Sequence, residues 1–183
     1  MHRTQLLSLL RNYHPTAVDE QKYKEDIIAF VTQQPDCFER TLAPGHITAS
    51  AWLLNKDGTQ ALLMHHTKLN VWVQLGGHCD GNSDAGAVAL KEAQEESGIH
   101  NIIPVSDHIF DIDIHLIPAR KTENEHYHYD IRFLLRVADD APCIQNEESQ
   151  ELRWITRDPH QLPTASRSVV RMFDKWTSNN PIR

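Results

Sequence analysis

The stretch Leu75-Gly76-Gly77-His78-Cys79-Asp80-Gly81-Asn82-Ser83-Asp84-Ala85-Gly86-Ala87-Val88-Ala89-Leu90-Lys91-Glu92-Ala93-Gln94-Glu95-Glu96-Ser97-Gly98-Ile99 decides how this chain is read. The apolar run Val71 to Leu75 predicts a short strand, Gly76-Gly77 a loop, and the residues from about Asp84 to Ser97 a helix with Gly98 as its C-cap. Glu92, Glu95 and Glu96 stand at i, i+3 and i+4, so one helix face carries three carboxylates. Like charges at this spacing weaken a helix by about 0.2–0.5 kcal/mol per pair, and by more where water is partly excluded. Divalent cations would remove the conflict. Oxygen-only donors, with no matching set of His and Cys, favour a hard ion such as Mg²⁺ or Mn²⁺ over zinc. The face bearing Ala87, Leu90 and Ala93 is expected to pack on a sheet while the carboxylates point outward. With no Cβ, Gly76 and Gly77 can bring backbone close to a metal and to phosphates.

Strands are expected on both sides of this segment. His46 to Leu54 and Thr59 to His65 flank the turn Asn55-Lys56-Asp57-Gly58, a hairpin signal. Further extended segments are expected near Ile109 to Ile117, Tyr129 to Val137 and Glu151 to Ile155, with Pro118 to His126 as a polar loop. A final helix from Ser166 to Trp176 has Val169, Val170, Phe173 and Trp176 at helical spacing. Before the strands, Thr4 to Tyr13 and a second segment ending near Gln34 read as helices. Asp19 or Thr16 is the candidate cap of the second, and Tyr23, Ile27, Ile28, Phe30 and Val31 form its buried side. Residues 1–44 are therefore read as an N-terminal helical extension, and residues 45–183 as the main domain.

The chain has 183 residues and a formal charge of −7, with 40% hydrophobic residues. That is enough apolar material for one core, and the acidic balance argues against duplex nucleic acid, whose phosphate backbone calls for surplus Lys and Arg. A small phosphorylated partner is compatible if divalent cations bridge the two sets of negative charge. Cys37, Cys79 and Cys143 form no CxxC pair, and no long apolar run suggests a membrane partner, so a cytoplasmic location is expected.

The quoted segment resembles the Nudix box, G-x5-E-x7-R-E-U-x-E-E-x-G-U with U aliphatic: Gly77, Glu92, Glu95, Glu96, Gly98 and Ile99 match in register. Ser83 stands where the family has Glu, Lys91 where it has Arg, and Ala93 replaces the usual larger aliphatic. The wording His65-His66-Thr67-Lys68-Leu69 and Trp72-Val73-Gln74-Leu75-Gly76-Gly77-His78 is similar to a bacterial Nudix subgroup. The resemblance implies an α/β fold, a Nudix-type α/β/α sandwich with a mixed sheet, over roughly Ile47 to Trp154. It also implies metal-dependent hydrolysis of a pyrophosphate bond in a nucleoside diphosphate-linked, nucleotide-like small molecule. On this reading the Gly77 backbone, Glu92, Glu95 and Glu96 hold Mg²⁺ or Mn²⁺, and Glu92, Glu95 and Lys91 are the catalytic candidates. Lys91 keeps the family's positive charge but lacks the planar fork of Arg.

Several residues outside the helix are substrate-side candidates, each with a plainer alternative. Trp72 either stacks on a base or belongs to the core. His78, directly after the glycines, is placed to meet phosphate or a metal-bound water. His126, His128 and Asp130 share one side if extended, as a substrate clamp or second metal site, or as a solvated strand end. Glu148 or Glu151 would complete the metal cluster or act as base; otherwise Glu147, Glu148 and Glu151 form a solvated turn. Two rivals accompany the hydrolase reading. One is a prenyl diphosphate isomerase-like enzyme, which needs a cysteine and a glutamate across an apolar pocket with a histidine-held metal; the other is a catalytically weak nucleotide-binding sensor. The role of residues 1–44 is open between covering the cleft, forming a homodimer contact and packing on the core.

Overall fold

The structure, a computed structural model, describes residues 2–120 and 124–178. Its centre is strand β1 (Gly45–Leu54), buried along its whole length. Such a run of Ile, Ala, Trp and Leu suits a strand covered on both faces. On one edge it pairs in parallel with β6 (His126–Val137), which pairs antiparallel with β5 (Ile102–Ile117). On the other edge its end forms the expected hairpin with β2 (Gln60–His66), and its middle pairs with β4 (Leu75–His78). β2 also pairs with β3 (Val71–Val73) and β7 (Ser149–Thr156), completing a mixed seven-stranded sheet.

Because side chains alternate across a strand, β1 feeds two different layers. Ile47, Ala49, Ala51 and Leu53 join a core with helix α1 (Thr4–Asn12), α2 (Val18–Gln33) and α3 (Ala85–Ser97). Trp52 and Leu54 join a second cluster with α4 (Arg167–Ser178), through Val169, Met172, Phe173 and Trp176. This is the α/β/α sandwich expected from the resemblance. In α4 the fully buried position next to Phe173 belongs to Met172, while Val170 is only half-buried.

Four local expectations change. The glycines lie inside β4, not in a loop; the loop comes after them, at residues 79–84. The apolar run breaks at Gln74, so Val71–Val73 pairs with β2 and Leu75–His78 with β1. β5 starts seven residues before Ile109, and the polar Ser106-Asp107-His108, sitting at a shift of register, hides this in the sequence. α2 is capped by Glu20, whose Oε2 accepts from the Thr16 and Ala17 amides at 2.9 and 2.8 Å, and not by Asp19 or the Thr16 hydroxyl. Glu20 is itself fully buried.

A buried ionic network fastens α4 and the start of α2 to the sheet. Arg132, 1% exposed, donates to Asp130 at 2.7 Å and to Asp111 at 2.9 Å. Arg171 donates to Asp111 and Asp113, and Lys175 to Asp111 at 2.6 Å and to Glu20. Buried charges are tolerable only in such mutually satisfied sets.

Candidate active site

α3 begins at Asp84, whose Oδ1 accepts from the Ala87 amide at 3.0 Å, and ends at Gly98 in the left-handed conformation. Its packing face is Ala85, Val88, Ala89 and Ala93, with Leu90 partly buried. Ala87 is exposed, contrary to the expectation that it packs on the sheet. The helix is turned toward β4, and this changes the setting of the three glutamates. Glu95 projects outward, with its side chain 57% exposed; Glu92 is largely enclosed at 17%. Glu96 is buried, and its Oε2 accepts from the Gly76 amide at 2.8 Å. The expected outward-facing trio is therefore graded from solvent into the protein.

Gly77 is what lets the helix come so close, and Gly76 is what lets β4 lie against β1. A Cβ on Gly77 would lie 2.7 Å from Glu92 Oε2, and one on Gly76 would lie 2.4 Å from Ser50 Oγ on the opposite side of the strand. Any other residue at either place would push its neighbour away. Lys91 lies along the outer side, 3.2 Å from Glu92 Oε1 and 2.9 Å from Glu95 Oε2. As a point charge it bridges both carboxylates, which the family's Arg would do through a planar fork.

The electrostatics follow from this grading. Burial pushes the Glu96 carboxyl up to about 8, against the Gly76 amide bond that favours its charge, and Glu92, Glu148 and Glu95 add to the rise. Glu92 is also raised, first by burial and opposed by Lys91. Glu148 therefore stands close enough to act on both. Its backbone is held by Thr67, whose amide donates to the Glu148 carbonyl at 2.8 Å, and Asn146 ties the same loop to the Glu95 carbonyl at 3.3 Å. Glu151 is turned elsewhere and pairs with Arg153 at 2.8 Å. Ser83 and Asp84 lie at the helix start, and Asp80 is held below the usual carboxylate range by a bidentate pairing with Arg40.

Trp72 stacks on His65 with ring centroids 5.0 Å apart, and the Arg153 guanidinium lies 4.5 Å over its ring. It also packs against the α4-side cluster. Asp130 is occupied by Thr48, Ser50 and Arg132, so it does not join His126 and His128 in a clamp. Those two histidines meet each other, Nε2 to Nε2 at 3.3 Å, and the His128 ring also contacts His46, His78 and His115. His46 was not legible as a site residue, because it sits at the start of an otherwise apolar strand with no neighbouring motif. Burial lowers His46 to about 4 and His128 to about 2, so both rings are neutral at pH 7. A separate cavity of about 1030 Å³ opens between α1, β5 and α4, beside Tyr13, His14, Arg167 and Arg171. It shares no residue with the glutamates.

Comparison with known proteins agrees with the geometry. The model of the NUDIX domain family matches residues 44–175. Among solved structures, a C. elegans Ap4A hydrolase binary complex superposes with a TM-score of 0.57 at 17% identity, covering 72% of this chain and 95% of that one. The E. coli dihydroneopterin triphosphate pyrophosphohydrolase gives 0.55 at 14% identity, with 73% and 96% covered. A UDP-X diphosphatase gives 0.54 at 13% identity and covers 98% of this chain and 94% of its own, so the likeness takes in α1 and α2. Comparison with curated protein sequences returns no match. No helix among the described residues is long and apolar enough to cross a membrane. With a sheet of this order, a helix carrying graded carboxylates against Gly76-Gly77, and the family match over most of the chain, the protein belongs to the NUDIX domain family and is a Nudix hydrolase.

Proposed function

We propose that this hydrolase cleaves a pyrophosphate bond in a nucleoside diphosphate-linked small molecule and depends on Mg²⁺ or Mn²⁺. The observation that carries the reading is the buried carboxylate of Glu96, raised to about 8 and crowded by Glu92, Glu95 and Glu148. The donor set fits a hard divalent ion: all donors are oxygens, and the room beside Glu92 exists only because Gly77 has no Cβ. On this reading Glu92, Glu95, Glu96 and the Gly77 carbonyl are the ligands. When bound, such an ion neutralises the diphosphate and makes an attacking water more acidic.

The chain's own residues supply the rest. Lys91 holds Glu92 and Glu95 in position from the solvent side. Either Glu92 or Glu148, whose charge acts on both Glu92 and Glu96, is the base that accepts the proton from water. His78, at the end of β4, and His126 and His128 on β6 face the other side of the sheet from Glu92 and take no part in holding the diphosphate on this reading. Residues 1–44 form an extension whose helices share the core of the domain at 45–183. The three free cysteines accord with a cytoplasmic location.

The isomerase-like reading loses its acid–base cysteine. Cys79 is 4% exposed and burial pushes its thiol up to about 12. A panel of nucleoside triphosphates, nucleotide sugars, ADP-ribose and dinucleoside polyphosphates, assayed with Mg²⁺ and Mn²⁺, tests the proposal. Release of two phosphorus-containing products is expected, with at least a hundredfold loss in Glu96→Gln. A loss under tenfold with metal affinity unchanged would defeat the ligand assignment, and tight binding without turnover would support the sensor.

A further inference from the structure

We propose that His46, His78 and His128 form a second cation site, for a nitrogen-preferring transition ion of the zinc type, on the sheet face opposite Glu92. The three rings come from three adjacent strands. His46 on β1 pairs with His128 on β6, and His78 on β4 pairs with Thr48, the next β1 residue on the same face as His46. One donor atom from each ring lies within 4.8 Å of the other two.

The ring of His46 makes the case for a ligand. It is 1% exposed, it faces His78 and His128 at centroid distances of 5.0 and 4.9 Å, and neither of its nitrogens has a hydrogen-bond partner among the described residues. Leaving a buried polar group unsatisfied is unfavourable, and native structures do so rarely. A metal ion bound to one ring nitrogen would satisfy that atom and leave only the other N–H. A tetrahedral ion with metal–nitrogen bonds of about 2.0–2.1 Å holds its donors roughly 3.3 Å apart, so ring rotations that shorten the donor separations by at most about 1.5 Å would close the site. Three imidazoles leave one position for water or for His126, whose Nε2 is 3.3 Å from His128 Nε2. Behind the trio, the His115 ring packs edge-on against His128, with centroids 5.3 Å apart.

Strand β4 separates the two kinds of donor. Gly77 opens toward Glu92, whereas His78, one residue on, points to the other face. An all-nitrogen set selects Zn²⁺, Co²⁺ or Ni²⁺ over Mg²⁺, and an all-oxygen set does the reverse. This inference stands independently of the role given to the glutamates.

Zn²⁺ titration of the full chain, by competition with a chromophoric chelator, tests it. One Zn²⁺ per chain is expected, with affinity at least tenfold weaker in His78→Gln and within threefold of the parent in Glu96→Gln. His78 and His128 are both half-buried where His46 is buried, so the change at His78 is gentler to the fold than one at His46. Should that variant fail to fold, the imidazole ¹⁵N resonances of the unaltered protein decide. Shifts of His46, His78 and His128 on adding Zn²⁺ are expected. Absence of Zn²⁺ uptake, a loss below tenfold in folded His78→Gln, or unmoved ring resonances would each overturn the site.

Discussion

Replacing Glu96 by Gln should stabilise the metal-free protein while removing its response to metal. Glu96 is 3% exposed, and its carboxyl is raised from 4.5 to about 8 in the fold. Between these two values the folded chain binds a proton that the unfolded chain has released, so this group's contribution is complete below about pH 4.5 and declines as pH rises toward 8. A shift of this size corresponds to on the order of 3–5 kcal/mol at its upper end. Gln stays neutral throughout and keeps the acceptor for the Gly76 amide, which donates at 2.8 Å. For a domain of this length each kcal/mol moves the Tm by roughly 2–4 °C. In EDTA, thermal unfolding should therefore show Glu96→Gln and the parent alike at pH 5 and the variant higher by at least about 5 °C at pH 8. Adding Mn²⁺ at pH 8 should raise the parent and leave the variant nearly unmoved. A variant less stable than the parent at pH 8 without metal, or an undiminished Mn²⁺ response, would refute the reasoning.

Three further substitutions separate structure from chemistry. Gly77→Ala places a methyl 2.7 Å from Glu92 Oε2, a flexible chain end, so stability in urea should fall by less than about 1 kcal/mol while turnover falls at least tenfold. Arg132→Ala leaves the buried Asp130 without its paired cation, while Asp111 keeps Arg171 and Lys175, and should cost about 3–5 kcal/mol by urea unfolding. Cys79→Ser should leave turnover within threefold of the parent, because the buried thiol is protonated and outside the chemistry; a loss beyond a hundredfold in a folded variant would return attention to the isomerase reading.

The α3 segment carries most of what was legible. Its carboxylate spacing, its C-cap and the strand before it are local patterns, and local patterns survive in one dimension. How deeply each glutamate is buried was not legible, because that depends on the rotation of α3 against β4, where Ala89 and Ala93 are buried and Glu92 lies against Gly77. His78 and His128 were already candidates in the sequence, but His46 and the meeting of the three were hidden for a similar reason. His46, His78 and His128 are brought together only by the parallel pairing of β1 with β6 and the antiparallel pairing of β1 with β4. The same holds for Asp111, Arg132 and Arg171, which read as ordinary polar residues until β5, β6 and α4 align them. The start of β5 escaped notice because Ser106-Asp107-His108 interrupts its alternation.

Electron paramagnetic resonance of Mn²⁺ added to the purified chain measures the occupancy on which the hydrolase reading rests. Bound Mn²⁺, with or without a non-hydrolysable nucleoside diphosphate derivative, is expected in the parent and should be lost when Glu92 and Glu96 are both changed to Gln. A parent that takes up no Mn²⁺ in either condition, or a doubly changed chain that binds it as well as the parent, would contradict the claim.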